Sequence, residues 1–337
     1  MYSFRNDYSE GAHQKVLDAL CRHSLEQNTG YGLDSHTANV TEMIRELCQC
    51  PQATVHFIAA GTQTNALVIN SFLRPFQAVI SAGTGHINVH ETGAVEATGH
   101  KVVFEDMPDG KLTPDAIRRL YAKHPDEHMV QPAMVYVSDS TELGTIYTKA
   151  ELTAISEVCR ELGLLLFLDG ARLGSALTCA ENDLTLADLA ALTDVFYIGG
   201  TKNGALYGEA LVLTNPALQK DFRYAIKNFG AMLAKGFIPA IQFEALLTDG
   251  LYFDLARHAN TLAAKLTKAL TDKGYELFAQ SPTNQVFPML PADVHARLQK
   301  DYQYEVQEQL PDGRYVVRFV TSWATPESAV DELIACL

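Results

Sequence analysis

The stretches "AVISA" (78–82), "AMVYVSD" (133–139), "GLLLFLDG" (163–170) and "VFYIGG" (195–200) are apolar at nearly every position rather than at alternate ones. A strand with one wet face shows alternation, whereas a run that is apolar throughout must be covered on both faces. Amphipathic stretches lie between these runs, the clearest being "TKAELTAISEVCRELG" (148–163), with a glycine at its end. This order predicts an α/β fold, a mostly parallel sheet between helices. "TVHFIAA" (54–60) and "KVVFED" (101–106) add strands, "TQTNALVINSFL" and "INVHETGAVEATG" read as helical, and "GEALVLTN" (208–215) is expected to return as an antiparallel neighbour.

Residues 9–50 read as helices broken by the loop "NTGYGLDS" (28–35). From about Gly250 the pattern changes to a long helix, "LYFDLARHANTLAAKLTKAL", then the short strands "NQVFPML" and "RYVVRFVTSW" and a last helix. A chain of 337 residues is longer than one core usually serves. The expected division is a large domain over 1–249, including the N-terminal helices, and a small α+β domain over 250–337.

Forty acidic against 26 basic residues give a net charge of −14, a field that repels a phosphate backbone and argues against nucleic acid as partner. No apolar run is long enough to span a bilayer, and "MYSFRNDYSEGAH" lacks the regions of a signal peptide, so a cytoplasmic protein is expected. Six cysteines form no framework, and Cys48 and Cys50 have no second pair to complete a zinc site. No metal is expected.

Ligands of an open parallel sheet sit beyond the carboxyl ends of its strands, and three unusual features fall there. "AAGTQTNALV" (59–68) puts small residues and hydroxyls where a strand turns into a helix, so free N–H groups of Gly61 and Thr62 favour an anion, with an ordinary helix cap as the plainer alternative. Asp169 ends five apolar residues; its buried charge needs a cation, worth about 4 kcal/mol at 4 Å and an effective dielectric near 20. Arg172 is the plain candidate, the protonated ring nitrogen of a cofactor the sharper one. Lys202 stands among Gly199, Gly200 and Gly204, which would let a bulky ligand approach, and confinement lowers a lysine's pKa toward the neutral amine that condenses with an aldehyde. Order and spacing together point to pyridoxal phosphate.

At these residues the chain resembles a known family. "AAGTQTNAL", "GHINVHETGA", "LFLDGARLGSAL" and "GGTKNGALYGEAL", with "NDYSEGAH", "TGYGLDSHT" and "VVRFVTSWAT", are similar to the low-specificity threonine aldolases, within the β-eliminating lyases and the fold-type-I pyridoxal-phosphate enzymes. The resemblance covers nearly the whole chain. It implies a transferase-like fold in which Lys202 binds the cofactor aldehyde and Asp169 pairs with the ring nitrogen. Gly61, Thr62 and Gln63 would hold the phosphate, with Thr201 beside Lys202, and His86 would lie against the ring. Arg172 and Arg318 would clamp a substrate carboxylate, with Asn6 nearby. The implied reaction is retro-aldol cleavage of a β-hydroxy-α-amino acid, in a homodimer or homotetramer with shared sites.

One departure concerns the family's "ENTHN" histidine, whose place in "VSDSTELGT" holds Glu142. A carboxylate with an ordinary pKa near 4.3 is a weak base unless burial raises it. The family's phosphate-binding arginine from a neighbouring subunit has no match in "YAIKNFGAMLAKG", where Lys227 or Lys235 would substitute. His13, His36 and His90 are further candidates near the site. Another pyridoxal-phosphate lyase or aminotransferase stays open, as does a non-catalytic cofactor-binding protein. A nucleotide-binding oxidoreductase is disfavoured by the absent GxGxxG.

Overall fold

A computed structural model describes residues 1–337. After the two-residue β1 (Tyr2–Ser3) and two helices, Gln14–Arg22 and Ser35–Leu47, come the strands of the main sheet. They are β2 (Thr54–Ile58), β3 (Gln77–Ala82), β4 (Lys101–Glu105), β5 (Gln131–Ser138), β6 (Leu165–Asp169), β7 (Val195–Gly199) and β8 (Glu209–Leu213). Their order is β2-β8-β7-β6-β5-β3-β4, and β8 pairs antiparallel with both of its neighbours while the other pairings are parallel. Burial explains the apolar runs: β7 and β8 are buried at every residue, with helices on both faces. The helix Lys149–Leu162 starts on a reciprocal Thr148–Glu151 capping box and stops at Gly163, whose φ of 68° suits glycine.

One expected helix is mostly absent. "INVHETGAVEATG" forms a single turn, His86–Val89, and a 3-10 turn at Glu96–Thr98. Gly93 at φ 74° and Thr92 at φ 52° take left-handed backbone between them and break the helix.

The C-terminal layer has a four-stranded sheet of β9 (Leu277–Ala279), β10 (Gln285–Leu290), β12 (Glu305–Gln309) and β13 (Tyr315–Val320), ordered β12-β13-β10-β9 and antiparallel throughout. β11 (Tyr302–Gln303) pairs with β1, and Phe4 is fully buried in the cluster formed by helices Leu251–Asp272 and Glu327–Cys336. The first residues of the chain are thereby packed into this layer. That packing brings Asp7 to the ends of the main strands.

Candidate active site

A cavity of about 430 Å³ opens at the carboxyl ends of β2, β5, β6 and β7, where β8 begins. Lys202, Asp169, His86, Glu142, Arg172, Thr201, Gly61 and Thr62 all line it, together with Tyr8, Asn65, Ser138, Ser140, Ala171, Tyr197, Tyr207 and Glu209. Residues separated by more than a hundred positions converge because parallel strands end on one edge.

Asp169, the last residue of β6, is held by four donors. Tyr136 and Tyr197 donate their hydroxyls, Asn65 its amide at 3.0 Å and Ala171 its backbone N–H at 2.9 Å. Burial pushes this carboxyl up, but neighbouring His86 and the two tyrosine hydroxyls outweigh it and keep the group below the usual range. Asp169 is therefore an anion held in apolar surroundings and aimed by its neighbours. Its expected protein partner is not Arg172. That guanidinium reaches Asp7 instead, Nε to Oδ2 at 2.7 Å and Nη2 to Oδ1 at 3.1 Å, and Asn284 adds a donor to the same carboxylate at 2.9 Å.

Lys202 follows β7 by three residues. Its Nζ lies 5.9 Å from the centre of the Tyr8 ring and has no ion-pair partner. Burial lowers its pKa and Arg172 lowers it further, against the pull of Asp7, Asp169 and Glu209. The surrounding glycines serve a different purpose from the one expected. A Cβ on Gly199 would sit 2.5 Å from the Ala171 carbonyl oxygen, and one on Gly200 would meet the Gly208 carbonyl and the Phe243 ring. They admit the chain's own backbone and core, fixing the lysine loop tightly. Gly204, at φ 93°, supplies the left-handed turn.

The helix Gly61–Phe72 begins at the cavity wall with no side-chain cap, and its first bond runs from Thr64 N–H to the Ala60 carbonyl. The preceding N–H groups of Gly61, Thr62 and Gln63 are left for an anion, so the ordinary-cap alternative fails here. The Gln63 side chain does not line the cavity. His86 joins from the turn after β3; its Nδ1 contacts Glu91 at 2.8 Å, which also accepts from Asn65 at 2.7 Å. Glu142 accepts from the His86 backbone N–H and the Ser138 hydroxyl, both at 2.9 Å. Burial, and then Asp169, push the Glu142 carboxyl above the usual range.

Other expected residues lie around the rim. Arg318 is 3.5 Å from Gln285 and its buried Nε has no partner; burial and Arg172 lower its pKa. Asn6 accepts from Tyr8 and Ser9 and does not line the cavity. His13 caps a helix, His36 sits between Glu26 and Glu244, and His90 is beside His86, so none of the three lines the cavity. Lys227 packs over Tyr31, and neither it nor Lys235 reaches the cavity of its own chain. Cys48 and Cys50 are buried and unbonded. Asp7, Asn65, Glu91, Tyr136, Tyr197 and Glu209 escaped sequence reasoning. Only Glu209, an acid opening the apolar run "EALVL", carried a local signal.

Comparison with known proteins agrees with this geometry. A family model described as Beta-eliminating lyase matches residues 4–292. A low specificity L-threonine aldolase from Pseudomonas sp. (strain NCIMB 10558) is 34% identical over 338 residues, covering 98% of this chain and 96% of that protein. The solved structure of Leishmania major threonine aldolase is 50% identical with a TM-score of 0.98, covering 99% of this chain and 98% of that one. A Thermus thermophilus aspartate aminotransferase variant is 16% identical with a TM-score of 0.73, over 100% of this chain and 90% of that one, a likeness of fold alone.

Proposed function

The chain belongs to the beta-eliminating lyase family, and on that premise we propose that it is a pyridoxal-phosphate-dependent aldolase that cleaves threonine-like β-hydroxy-α-amino acids to glycine and an aldehyde. The observation that carries the reading is one cavity containing a buried lysine without an ion-pair partner and a carboxylate held ionised by four donors.

The residues present fit that cofactor. Lys202 would take its aldehyde, Asp169 its ring nitrogen, and the uncapped N–H groups of Gly61, Thr62 and Gln63, with the Thr201 hydroxyl, its phosphate. When bound, pyridoxal phosphate supplies an electron sink for the pair released as a bond at the substrate Cα breaks. Asp169 holds a proton on the ring nitrogen, which keeps that sink effective. Lys202, poor in protons through burial, offers the free amine that condensation requires.

Glu142 takes the proton from the substrate β-hydroxyl. Its raised pKa makes it a stronger base than an exposed glutamate, and the Ser138 hydroxyl and His86 N–H orient it. Arg318, with its unpartnered Nε, and Arg172 bind the substrate carboxylate and thereby set which Cα bond faces the sink. The same reading extends to a homodimer or homotetramer, supported by the exposed Tyr8 and Leu206 at the cavity edge, and to a reducing cytoplasmic compartment, supported by six free cysteines. No helix is long and apolar enough to cross a membrane.

The experiment is acetaldehyde release from threonine by the protein loaded with pyridoxal phosphate, read beside its visible absorbance. Loss of both in Lys202→Ala is expected. A protein that stays colourless with added cofactor would sink the proposal.

A further inference from the structure

Three side chains around the cavity carry an ionisable nitrogen: Arg172, His86 and Lys202. Arg172 is bonded to Asp7 and His86 to Glu91, whereas Lys202 has no carboxylate bonded to it. The acids lining the cavity are divided just as unevenly. Asp169 is surrounded by Tyr136, Tyr197, Asn65 and the Ala171 N–H, and Glu142 is held by Ser138 and the His86 N–H. Glu209 remains. It accepts only from the Gly200 N–H at 3.0 Å and the Thr201 hydroxyl at 2.8 Å, the two residues immediately before Lys202.

Its place in the sheet is equally specific. Glu209 opens β8, in register with Ile58 on one side and Gly199 on the other. It is therefore wedged between the strand that runs into Ala59–Thr62 and the strand that runs into the lysine loop. The Thr201 hydroxyl that donates to it also accepts from the Gly208 N–H at 3.0 Å, so the loop is latched across β7 and β8. A carboxyl that is 4% exposed, lines the cavity and has no cation bonded to it is costly unless a positive charge stands nearby.

Resting on the reading of Lys202 as the reactive amine, we propose that Glu209 is the counter-charge of Lys202, a positioning residue that latches the lysine loop and whose charge fixes the fraction of Lys202 present as free amine. The groups facing Glu209 are Lys202 and Asp169, with Tyr197 and Tyr252, whose hydroxyls burial keeps protonated. Those facing Lys202 are Arg172, Asp7, Asp169 and Glu209. Arg172 and Asp7 offset each other, and Asp169 is committed to its donors. Burial pushes the Glu209 carboxyl up to about 7, against the Thr201 hydroxyl, the Gly200 N–H and Lys202, which lower it. Near neutral pH one proton is thus divided between acid and amine.

The test is competitive acetylation of the cofactor-free full chain across pH, with mass spectrometry of the peptide that holds Lys202. Glu209→Gln keeps the shape and removes the charge. It lowers the Lys202 midpoint by about one pH unit, roughly tenfold more free amine below the midpoint. Glu209→Asp retracts the charge and lowers the midpoint by less, about threefold in free amine. An unchanged midpoint in a folded Gln variant overturns the proposal; if that variant does not fold, an unchanged midpoint in the Asp variant does so. Pyridoxal-phosphate binding by the unsubstituted protein is measured alongside. Its failure would remove the function proposed above, while the midpoint would still judge Glu209.

Discussion

Arg172 and Asp7 form a two-point ion pair across 165 residues of sequence, and both side chains are nearly inaccessible to solvent. The pair joins the helix start after β6 to the N-terminal segment, and Asn284 ties the same carboxylate to the C-terminal layer through the Thr321 carbonyl. Burial pushes Asp7 up, but Arg172 and Lys202 outweigh it. The guanidinium expected to be free for substrate is already oriented by the protein.

Asp7→Asn leaves that guanidinium buried without its counter-charge. Removing one partner of a buried pair costs about 3–5 kcal/mol, and the urea midpoint of the variant is expected to fall accordingly. An unchanged midpoint would show that the pair is not buried in solution.

Asp169→Asn keeps the volume and removes the charge. An attraction of about 4 kcal/mol at an effective dielectric near 20 corresponds to roughly a thousandfold in kcat/KM, the expected loss in threonine cleavage. Near-native folding by circular dichroism distinguishes this loss from general damage.

Glu142→Gln tests the base. The wild-type rate is expected to rise with pH as Glu142 ionises, with an acidic limb above the usual carboxylate range because burial raises this group. In the variant that limb disappears and kcat falls by about 10²–10⁴. Unchanged turnover would assign the proton to another group.

Asp139 predicts a stability profile unrelated to catalysis. Burial pushes its carboxyl up to about 8, with the Tyr147 N–H as a weak counter-effect. Between its unfolded value of 3.8 and about 8, the folded state binds more protons than the unfolded chain, so rising pH removes stability across that window, by at most about 1.4 kcal/mol per unit. Asp139→Asn flattens this slope and is more stable than wild type at pH 8. Urea melts at pH 5 and pH 8 decide it.

Much of the site was legible because its signals are local. Lys202, Asp169 and Gly61–Thr62 each follow an apolar run, and strand ends on one edge of a parallel sheet meet. The "INVHETGAVEATG" segment misled because its helical spacing does not reveal the left-handed backbone at Thr92 and Gly93. The glycines around Lys202 were rightly read as marking close approach, but what approaches is the backbone of Ala171 and Gly208.

Taken alone, the sequence determined the order of strands and helices, the parallel sheet and the lysine–aspartate pairing of functions, since periodicity and burial preference belong to short segments. Tertiary structure alone decided the partners: Asp7 for Arg172, two tyrosines and Asn65 for Asp169, and Glu209 beside the lysine loop. A buried charge must be matched by whatever the fold brings within a few ångströms, and that distance is set by packing between residues far apart in the chain.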